Sequence, residues 1–122
     1  MDITPLIPSG RQLIQAYGDG GFRIAGQRWE GSVLVLPDRT AAWPVASLAE
    51  LTEASLAAVV EAGVQVLLLG CGKSIGAVPR ELKASLRAAG IVVDPMDTGA
   101  ACRTFNVLLA EDRKVAAALI AV

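Results

Sequence analysis

Histidine is absent from the 122 residues of this sequence, and its absence excludes more chemistry than any other feature of the composition. Without imidazole the chain cannot form Ser-His-Asp or Cys-His nucleophile systems, and it lacks the commonest general acid or base near neutral pH. It also lacks a frequent ligand of zinc sites. The sequence contains no recognisable catalytic constellation, and we expect no bound metal and no cofactor.

Cysteine is scarce as well, since Cys71 and Cys102 are the only two. They form no CxxC pair and no metal-ligand spacing, and two small buried residues in a reducing compartment are the simplest interpretation. We expect both thiols to be reduced rather than joined in a disulfide. Because the start of a helix can lower the pKa of a thiol, a catalytic role for Cys102 stays open as a second hypothesis.

Aromatic residues amount to two Trp, two Phe and one Tyr, so the core must be built largely from aliphatic side chains, as in sheets covered by helices. Eleven basic and twelve acidic residues give a net charge of −1. No stripe of Lys and Arg stands out, and the few aromatic residues are not interleaved with basic ones. Nucleic-acid binding is therefore not expected.

Long apolar runs are missing too, because the longest cover about six residues, whereas a membrane span needs about 20. The first five residues have neither a basic region nor a long apolar region, which argues against a secretory signal. Asp2 is acidic and no Arg precedes Arg11, so the start of the chain does not resemble a mitochondrial transit peptide. We expect a cytoplasmic protein.

The first third of the chain has the pattern of short β-strands. Its turns are indicated by Gly18-Asp19-Gly20-Gly21, whose residues tolerate positive φ, by Gly26-Gln27 and by Pro37-Asp38. The predicted strands are Gln12–Tyr17, Phe22–Ile24, Ser32–Leu36 and Thr40–Trp43.

Two helices are predicted next. Thr52 is suited to cap the first, which Gly63 ends, and Pro79 and Gly90 bound the second. Ser47 and the residues after it also fit a capping box, which predicts an additional turn. The predicted buried stripes are Leu56, Val59 and Val60 in the first helix and Leu82, Leu86 and Ala89 in the second.

The fully apolar segment Val64–Leu69 is typical of a strand buried on both faces, and with Ile91–Val93 it predicts a βαβ unit with a parallel pair. Asp97 or Thr98 is predicted to cap a third helix, and Val115–Ile120 is the predicted closing strand. The third helix buries Ala101, Cys102, Phe105, Leu108 and Leu109. Residues 1–122 thus form a single α/β domain: an N-terminal β-rich part followed by a β-α-β-α-β part, in three layers with a central mixed β-sheet.

The segment Gly70-Cys71-Gly72-Lys73-Ser74 matches only part of the sequence motif of a phosphate-binding loop. A Walker loop needs Gly six positions before the Lys, where this chain has Leu67 inside the predicted strand. Pro79 also places the helix start several residues too late. An ordinary glycine-rich connection between strand and helix is the simplest interpretation.

A ligand site is nevertheless predicted where two parallel strands end. Their carboxyl ends lie at one edge of an open sheet, next to a helix start whose first N–H groups attract anions. Tight packing of small residues explains the same helix start, so both interpretations stay open. The candidate ligand-binding residues are Gly70, Cys71, Gly72, Lys73, Asp97, Thr98, Arg103 and Trp43.

Several segments together resemble one known family. They are Gly20–Ile24, Gly31–Val35, Trp43, Leu67–Gly72 with Pro79 beyond, and Met96–Leu108, which is the most specific. In this order they resemble a small α/β domain family of unknown function whose mitochondrial members include the third assembly factor of respiratory complex I. The resemblance runs along nearly the whole chain, and this chain looks like a bacterial member.

The resemblance implies a three-layer domain with a mixed sheet between helices. It also implies binding of partner proteins, and it supplies no catalytic residues. The leading hypothesis is a non-enzymatic binding module that acts as a protein-assembly factor, with an unidentified protein partner and with weak self-association as a further expectation. The alternative is a small-molecule or anion-binding protein, or an enzyme, that uses the edge formed by residues 70–74 and 97–103.

Overall fold

A computed structural model describes residues 11–122. Two sheets and three helices make up this part of the chain. The strands are β1 (Ile14–Gly18), β2 (Gly21–Ile24), β3 (Gln27–Glu30), β4 (Val33–Val35), β5 (Thr40–Ala42), β6 (Val66–Gly70), β7 (Val92–Met96) and β8 (Val115–Leu119). The helices are α1 (Ala57–Glu61), α2 (Arg80–Ala88) and α3 (Thr98–Ala110), with short 3₁₀ turns at Leu48–Glu50 and Ala54–Leu56.

The first three strands form an antiparallel sheet of their own, in the order β1-β2-β3. The predicted turn after β1 is confirmed, since Gly18, Asp19 and Gly20 all have positive φ. The next turn is at Ala25 and Gly26, both with positive φ, and not at Gly26-Gln27 as expected. Residue 27 instead begins β3, which the sequence analysis missed because this short strand is polar and largely exposed.

The second sheet has five strands in the order β5-β4-β8-β6-β7. Strand β6 pairs in parallel with β7 on one side and with β8 on the other, which confirms the predicted βαβ unit. Strands β4 and β5 complete the sheet as antiparallel neighbours. The sheet is therefore mixed, as expected, but it does not include β1, β2 and β3.

Alternating residues of β8 point into two separate cores. Val115, Ala117 and Leu119 belong to a cluster with α3 and the three-stranded sheet, whereas Ala116 and Ala118 belong to a cluster with α1 and α2. This alternation is the period of a strand that is buried on both faces. The five-stranded sheet is thus the middle layer of three, as the sequence predicts.

The helices are shorter than expected at some ends. The predicted caps hold: the Thr52 hydroxyl accepts the Ser55 N–H at 3.1 Å, and Gly63 and Gly90 have the positive φ of helix ends. Val60 and Ala89, both predicted to be buried, are exposed. No helix within residues 11–122 has the length and apolar content to span a membrane.

Strand β7 extends three residues beyond the predicted end at Val93 and includes Pro95. The Val92 N–H donates to the Gln65 carbonyl at 3.0 Å, and the Met96 carbonyl accepts from Cys71 at 2.8 Å. Residues 92, 94 and 96 therefore direct their backbone groups toward β6, and residues 93 and 95 direct theirs outward. Proline is tolerated here because β7 is an edge strand and loses no ladder hydrogen bond at this position.

Truncation of Leu68 tests the predicted interior position of β6. This residue is 1% exposed and packs against α3 in the cluster on that face. We expect Leu68→Ala to lower the free energy of unfolding by about 2–5 kcal/mol, through lost burial and the cavity that remains. Urea denaturation measures the difference. Val107→Ala is the matched control, since Val107 is 57% exposed and should change stability by less than about 0.5 kcal/mol. Equal effects of both variants would contradict this topology.

Candidate functional site

The candidate site centres on one buried hydroxyl. Thr98 is fully buried at the start of α3, and its Oγ1 donates to the Ile120 carbonyl at 2.7 Å and accepts the Gly72 N–H at 2.9 Å. The Thr98 N–H in turn donates to the Gly72 carbonyl at 2.8 Å. One side chain thereby joins the loop after β6, the end of β8 and the first turn of α3.

Three further backbone donors at this edge, the N–H groups of Cys71, Ala100 and Ala101, also have partners within the protein. The Cys71 N–H donates to the Met96 carbonyl at 2.8 Å. The Asp97 carboxylate caps α3 by accepting the Ala100 N–H at 2.9 Å, and the Asp97 carbonyl accepts the Ala101 N–H at 3.0 Å. These bonds satisfy the groups that an anion at a helix start would otherwise use. An anion at this edge would therefore depend on side chains and not on these N–H groups.

Close packing explains Gly70 at the end of β6, and backbone conformation explains Gly72 in the loop that follows. A Cβ at Gly70 would lie 2.9 Å from Leu119 Cδ2 and 3.1 Å from Thr98 Cα, so any side chain would separate β6 from α3. Gly72 has a φ of +101°, which other residues rarely adopt. The glycine pattern that resembled a phosphate-binding loop thus serves the contact between sheet and helix.

The predicted site residues fall into one connected group and three separate positions. Gly70, Cys71, Gly72, Asp97 and Thr98 lie together in the network described above. Lys73 is exposed in the loop that follows them.

Arg103 belongs to a different feature. Its Nη1 donates to the Tyr17 hydroxyl at 2.9 Å, and both residues line an open cleft of about 350 Å³ between β1 and α3, together with Cys102 and Asn106. The sequence analysis placed Arg103 beside Lys73. The structure instead gives Arg103 a partner in the three-stranded sheet.

Trp43 directly follows β5, and its backbone N–H donates to the carbonyl of Ser32, which directly precedes β4. Trp43 therefore lies at the same edge of the sheet as the Gly72 loop. Its side chain is only 4% exposed, and the indole Nε1 donates to the Ser55 carbonyl at 2.8 Å. It lines a cleft with Ser32, Pro44 and Ala121 and not with the Gly72 loop. Its main role is therefore to anchor the connection that leads to α1.

The sequence analysis missed the contacts that hold the three-stranded sheet on α3. The Asn106 side-chain amide accepts the Ile14 N–H at 2.9 Å and donates to the Ile14 carbonyl at 2.7 Å. The two bonds satisfy the backbone groups of Ile14 as a neighbouring strand would. A Cβ at Gly99 would lie 2.7 Å from the Tyr17 hydroxyl oxygen, so this glycine allows the ring to approach the helix. Gly99 in the first helical turn was the only signal in the sequence for this contact.

The two cysteines lie on opposite faces of the central sheet. Cys71 packs against the cluster of α1 and α2, and Cys102 is buried in the cluster of α3. Both are free thiols, and the sheet between them prevents a disulfide. Burial raises the pKa of Cys102 to about 12, against a smaller lowering by Arg103. This is the opposite of the lowered pKa that the hypothesis of a reactive thiol at Cys102 requires, and it argues against that hypothesis, because a buried neutral thiol is a poor nucleophile.

Carboxylates do not gather into a metal site in the part of the chain that the structure describes. Within residues 11–122, no group of three or more Cys, Asp or Glu side chains is arranged to hold a metal ion.

The fold defines the class of protein first: a mixed five-stranded sheet with two helices on one face and, on the other, a helix and a small antiparallel sheet. A Bordetella pertussis protein described as an Mth938-like domain has this fold, with a TM-score of 0.80 and 27% identity over 98% of this chain and 91% of that one. A Bartonella henselae protein described as an outer membrane protein has a TM-score of 0.86 and 43% identity over 93% and 97% of the two chains.

Residues 14–120 match the family described as "Protein of unknown function (DUF498/DUF598)", and the chain belongs to this family. An uncharacterised protein of Rhodobacter capsulatus is 42% identical over 92% of this chain and 86% of its own length. NADH dehydrogenase (ubiquinone) 1 alpha subcomplex assembly factor 3 is 37% identical in Danio rerio over 92% of this chain, and 34% identical in Homo sapiens over 88%. The chain spans 66% and 59% of those two proteins.

Replacement of Thr98 tests the hydroxyl that joins the three elements. Thr98→Val keeps the shape of the side chain but leaves the Gly72 N–H and the Ile120 carbonyl unpaired in the interior. We expect the free energy of unfolding to fall by at least about 2 kcal/mol, since each unpaired buried group costs about 1–3 kcal/mol. Thr98→Ser is the matched control, because it keeps the hydroxyl and loses one methyl, worth about 1 kcal/mol. A valine variant as stable as the serine variant would refute the bridging role.

The raised pKa of Cys102 predicts a loss of stability in alkali. Between about pH 9 and pH 12 the folded protein retains the proton of the Cys102 thiol, whereas the unfolded chain releases it. The Cys102 thiol therefore does not affect the free energy of unfolding at pH values below its pKa in the unfolded chain. Above that pKa, the free energy of unfolding falls by up to about 1.4 kcal/mol per pH unit. We expect Cys102→Ala to remove this decline in urea denaturation series between about pH 8 and pH 10.5. Cys71→Ala should retain it, and identical slopes for Cys102→Ala and the unsubstituted protein would contradict the assignment.

Proposed function

We propose that this chain is a non-enzymatic protein-binding domain that assists the assembly of a multi-subunit complex. The observation that carries the proposal is its 34–37% identity to an assembly factor over 88–92% of its own length. Identity at this level along nearly the whole domain supports a common mode of action, and those relatives are named for the assembly of NADH dehydrogenase.

The chemistry of the candidate site supports binding over catalysis. The polar groups around Thr98 form hydrogen bonds with one another. Within residues 11–122, every buried side-chain nitrogen or oxygen has a hydrogen-bond partner. Active sites usually hold groups whose pKa values are shifted toward working pH. Burial instead raises the pKa of the Cys102 thiol, away from neutrality.

The proposal concerns only the domain shared with the assembly factors. About a third or more of each factor lies outside the match, and what that part contributes is not transferred to this chain. We further propose a cytoplasmic location, in keeping with two cysteines that are free and widely separated. The identity of the partner does not follow from the relatives' name.

The alternative is an anion site at the edge formed by residues 70–74 and 97–103. The exposed cation of Lys73 supports it. The occupied backbone donors at Cys71, Gly72 and Thr98 argue against it, as does the bond between Arg103 and Tyr17. We therefore rank it below protein binding, with the same candidate residues.

Capture of partners separates the two functions. We expect a tagged chain, cross-linked in cells of its source organism and purified under native conditions, to retain subunits of one multi-subunit complex in stoichiometric amounts. The 42%-identical Rhodobacter capsulatus relative is the matched control and should retain the corresponding subunits. The proposal fails if neither chain retains a partner and phosphate or a carboxylate metabolite instead stabilises the protein by about 2.7 kcal/mol at a hundredfold excess over Kd.

A further inference from the structure

Three cations of α2 line one side of a cleft against the edge strand β7. Arg80, Lys83 and Arg87 are spaced three and four residues apart, which places them on one face of the helix. The opposite wall and floor are formed by residues 91–93, and the cleft has a volume of about 360 Å³. From the first to the last cation the helix advances about 10 Å, or roughly two turns.

Within residues 11–122, none of these cations has an ion-pair partner. The ion pairs there join Arg11 to Asp112 and Arg28 to Glu30. Glu81, on the same helix, lines a different cleft together with Glu53. The only carboxylate of β7, Asp94, alternates with Val93, whose side chain packs against α2, so it lies on the other face of the sheet.

The cleft is therefore positive although the chain carries a net charge of −1. The sequence analysis found no basic stripe because the three cations are interleaved along the chain with Glu81 and apolar residues, and they share one face only once residues 80–88 are placed on a helix. The helical spacing of three cations was the signal that could have revealed it.

Apolar surface lies beside the charges. Ala84, Ile91, Val92 and Val93 line the cleft together with the cations. The side chain of Val92 alternates with those of Ile91 and Val93, so it lies on the same face of the sheet as Asp94. Strand addition is disfavoured at this edge, since Pro95 directs no N–H outward and Val93 is left as the one residue of β7 with an outward N–H. We therefore expect a partner to dock mainly through its side chains, with acidic groups against the cations of α2 and an apolar group in the cleft between α2 and β7.

We propose that this cleft binds a short acidic segment of a partner protein that carries at least one apolar side chain. This inference rests on the proposed protein-binding function and assigns it a surface. Carboxylates are the protein groups that pair with exposed Arg and Lys. A concave cleft fits a peptide better than the flat surface of a membrane, and residues 80–93 contain no aromatic side chain on which nucleic-acid bases could stack.

The first test is a titration of the full chain, labelled with ¹⁵N, with a short peptide of Glu and Leu. We expect amide shifts to change in α2 and β7, and binding to weaken as salt is raised. The same peptide with Gln in place of Glu is the control and should not bind measurably. Shifts confined to other parts of the chain, or equal binding of the Gln peptide, would overturn the proposal.

The second test removes the charges. The variant Arg80→Ala/Lys83→Ala/Arg87→Ala keeps good helix formers in α2 and should bind the peptide about tenfold more weakly. The matched control Arg23→Ala/Arg39→Ala/Lys114→Ala removes the same number of exposed cations elsewhere and should bind like the unsubstituted chain. Equal affinity of the two variants overturns the proposal, and so does tighter binding of vesicles containing phosphatidylglycerol or of single-stranded DNA than of the peptide.

Partner capture with the same triple variant separates this inference from the proposed function. Loss of the partners by this variant, with retention by the matched control, supports the cleft. Full retention by the α2 variant overturns the cleft but leaves the protein-binding function in place. Failure of the unsubstituted chain to retain any partner overturns both.

Discussion

The position of the last strand is the constraint on which the rest of this fold depends. Strand β8 lies between β4 and β6, which do not pair with each other, and all five of its residues are buried. Its alternate side chains complete both hydrophobic cores. The β4-β5 hairpin and the parallel β6-β7 pair therefore form one sheet only when the end of the chain has inserted between them. Alanine at three consecutive positions of β8 lets both outer layers approach this strand closely.

In this protein, the edge of the sheet at which the parallel strands end has a structural role. In open α/β sheets this edge commonly forms a ligand crevice, because successive loops diverge there. Here the loop after β6 and the start of α3 do not diverge, since Gly70 allows close contact and Thr98 bonds both to the loop and to the strand beyond it. The donors that would surround a phosphate are therefore used to hold the layers together.

The surface that we propose for recognition lies on the outer layer of helices. Within residues 11–122 the cations of α2 form no ion pair, whereas the three-stranded sheet and its surroundings hold two, Arg11 with Asp112 and Arg28 with Glu30. A basic face of this kind is suited to a partner that brings acidic groups. The proposed protein binding rests on the family relationship, and the proposed cleft gives it a surface.

The sequence by itself determined the elements that local patterns encode. Helix ends at Gly63 and Gly90, the Asp97 cap, the buried β6 and the βαβ unit were all predicted, because positive φ, capping and apolar runs act over a few residues. Only the tertiary structure decided that β3 exists, that β1–β3 form a separate sheet, and that Arg103 and Trp43 leave the predicted site. These features depend on which distant faces fit together. The basic stripe of α2 has the same origin: the spacing is local, but the absence of a carboxylate partner depends on how the helix is oriented on the sheet.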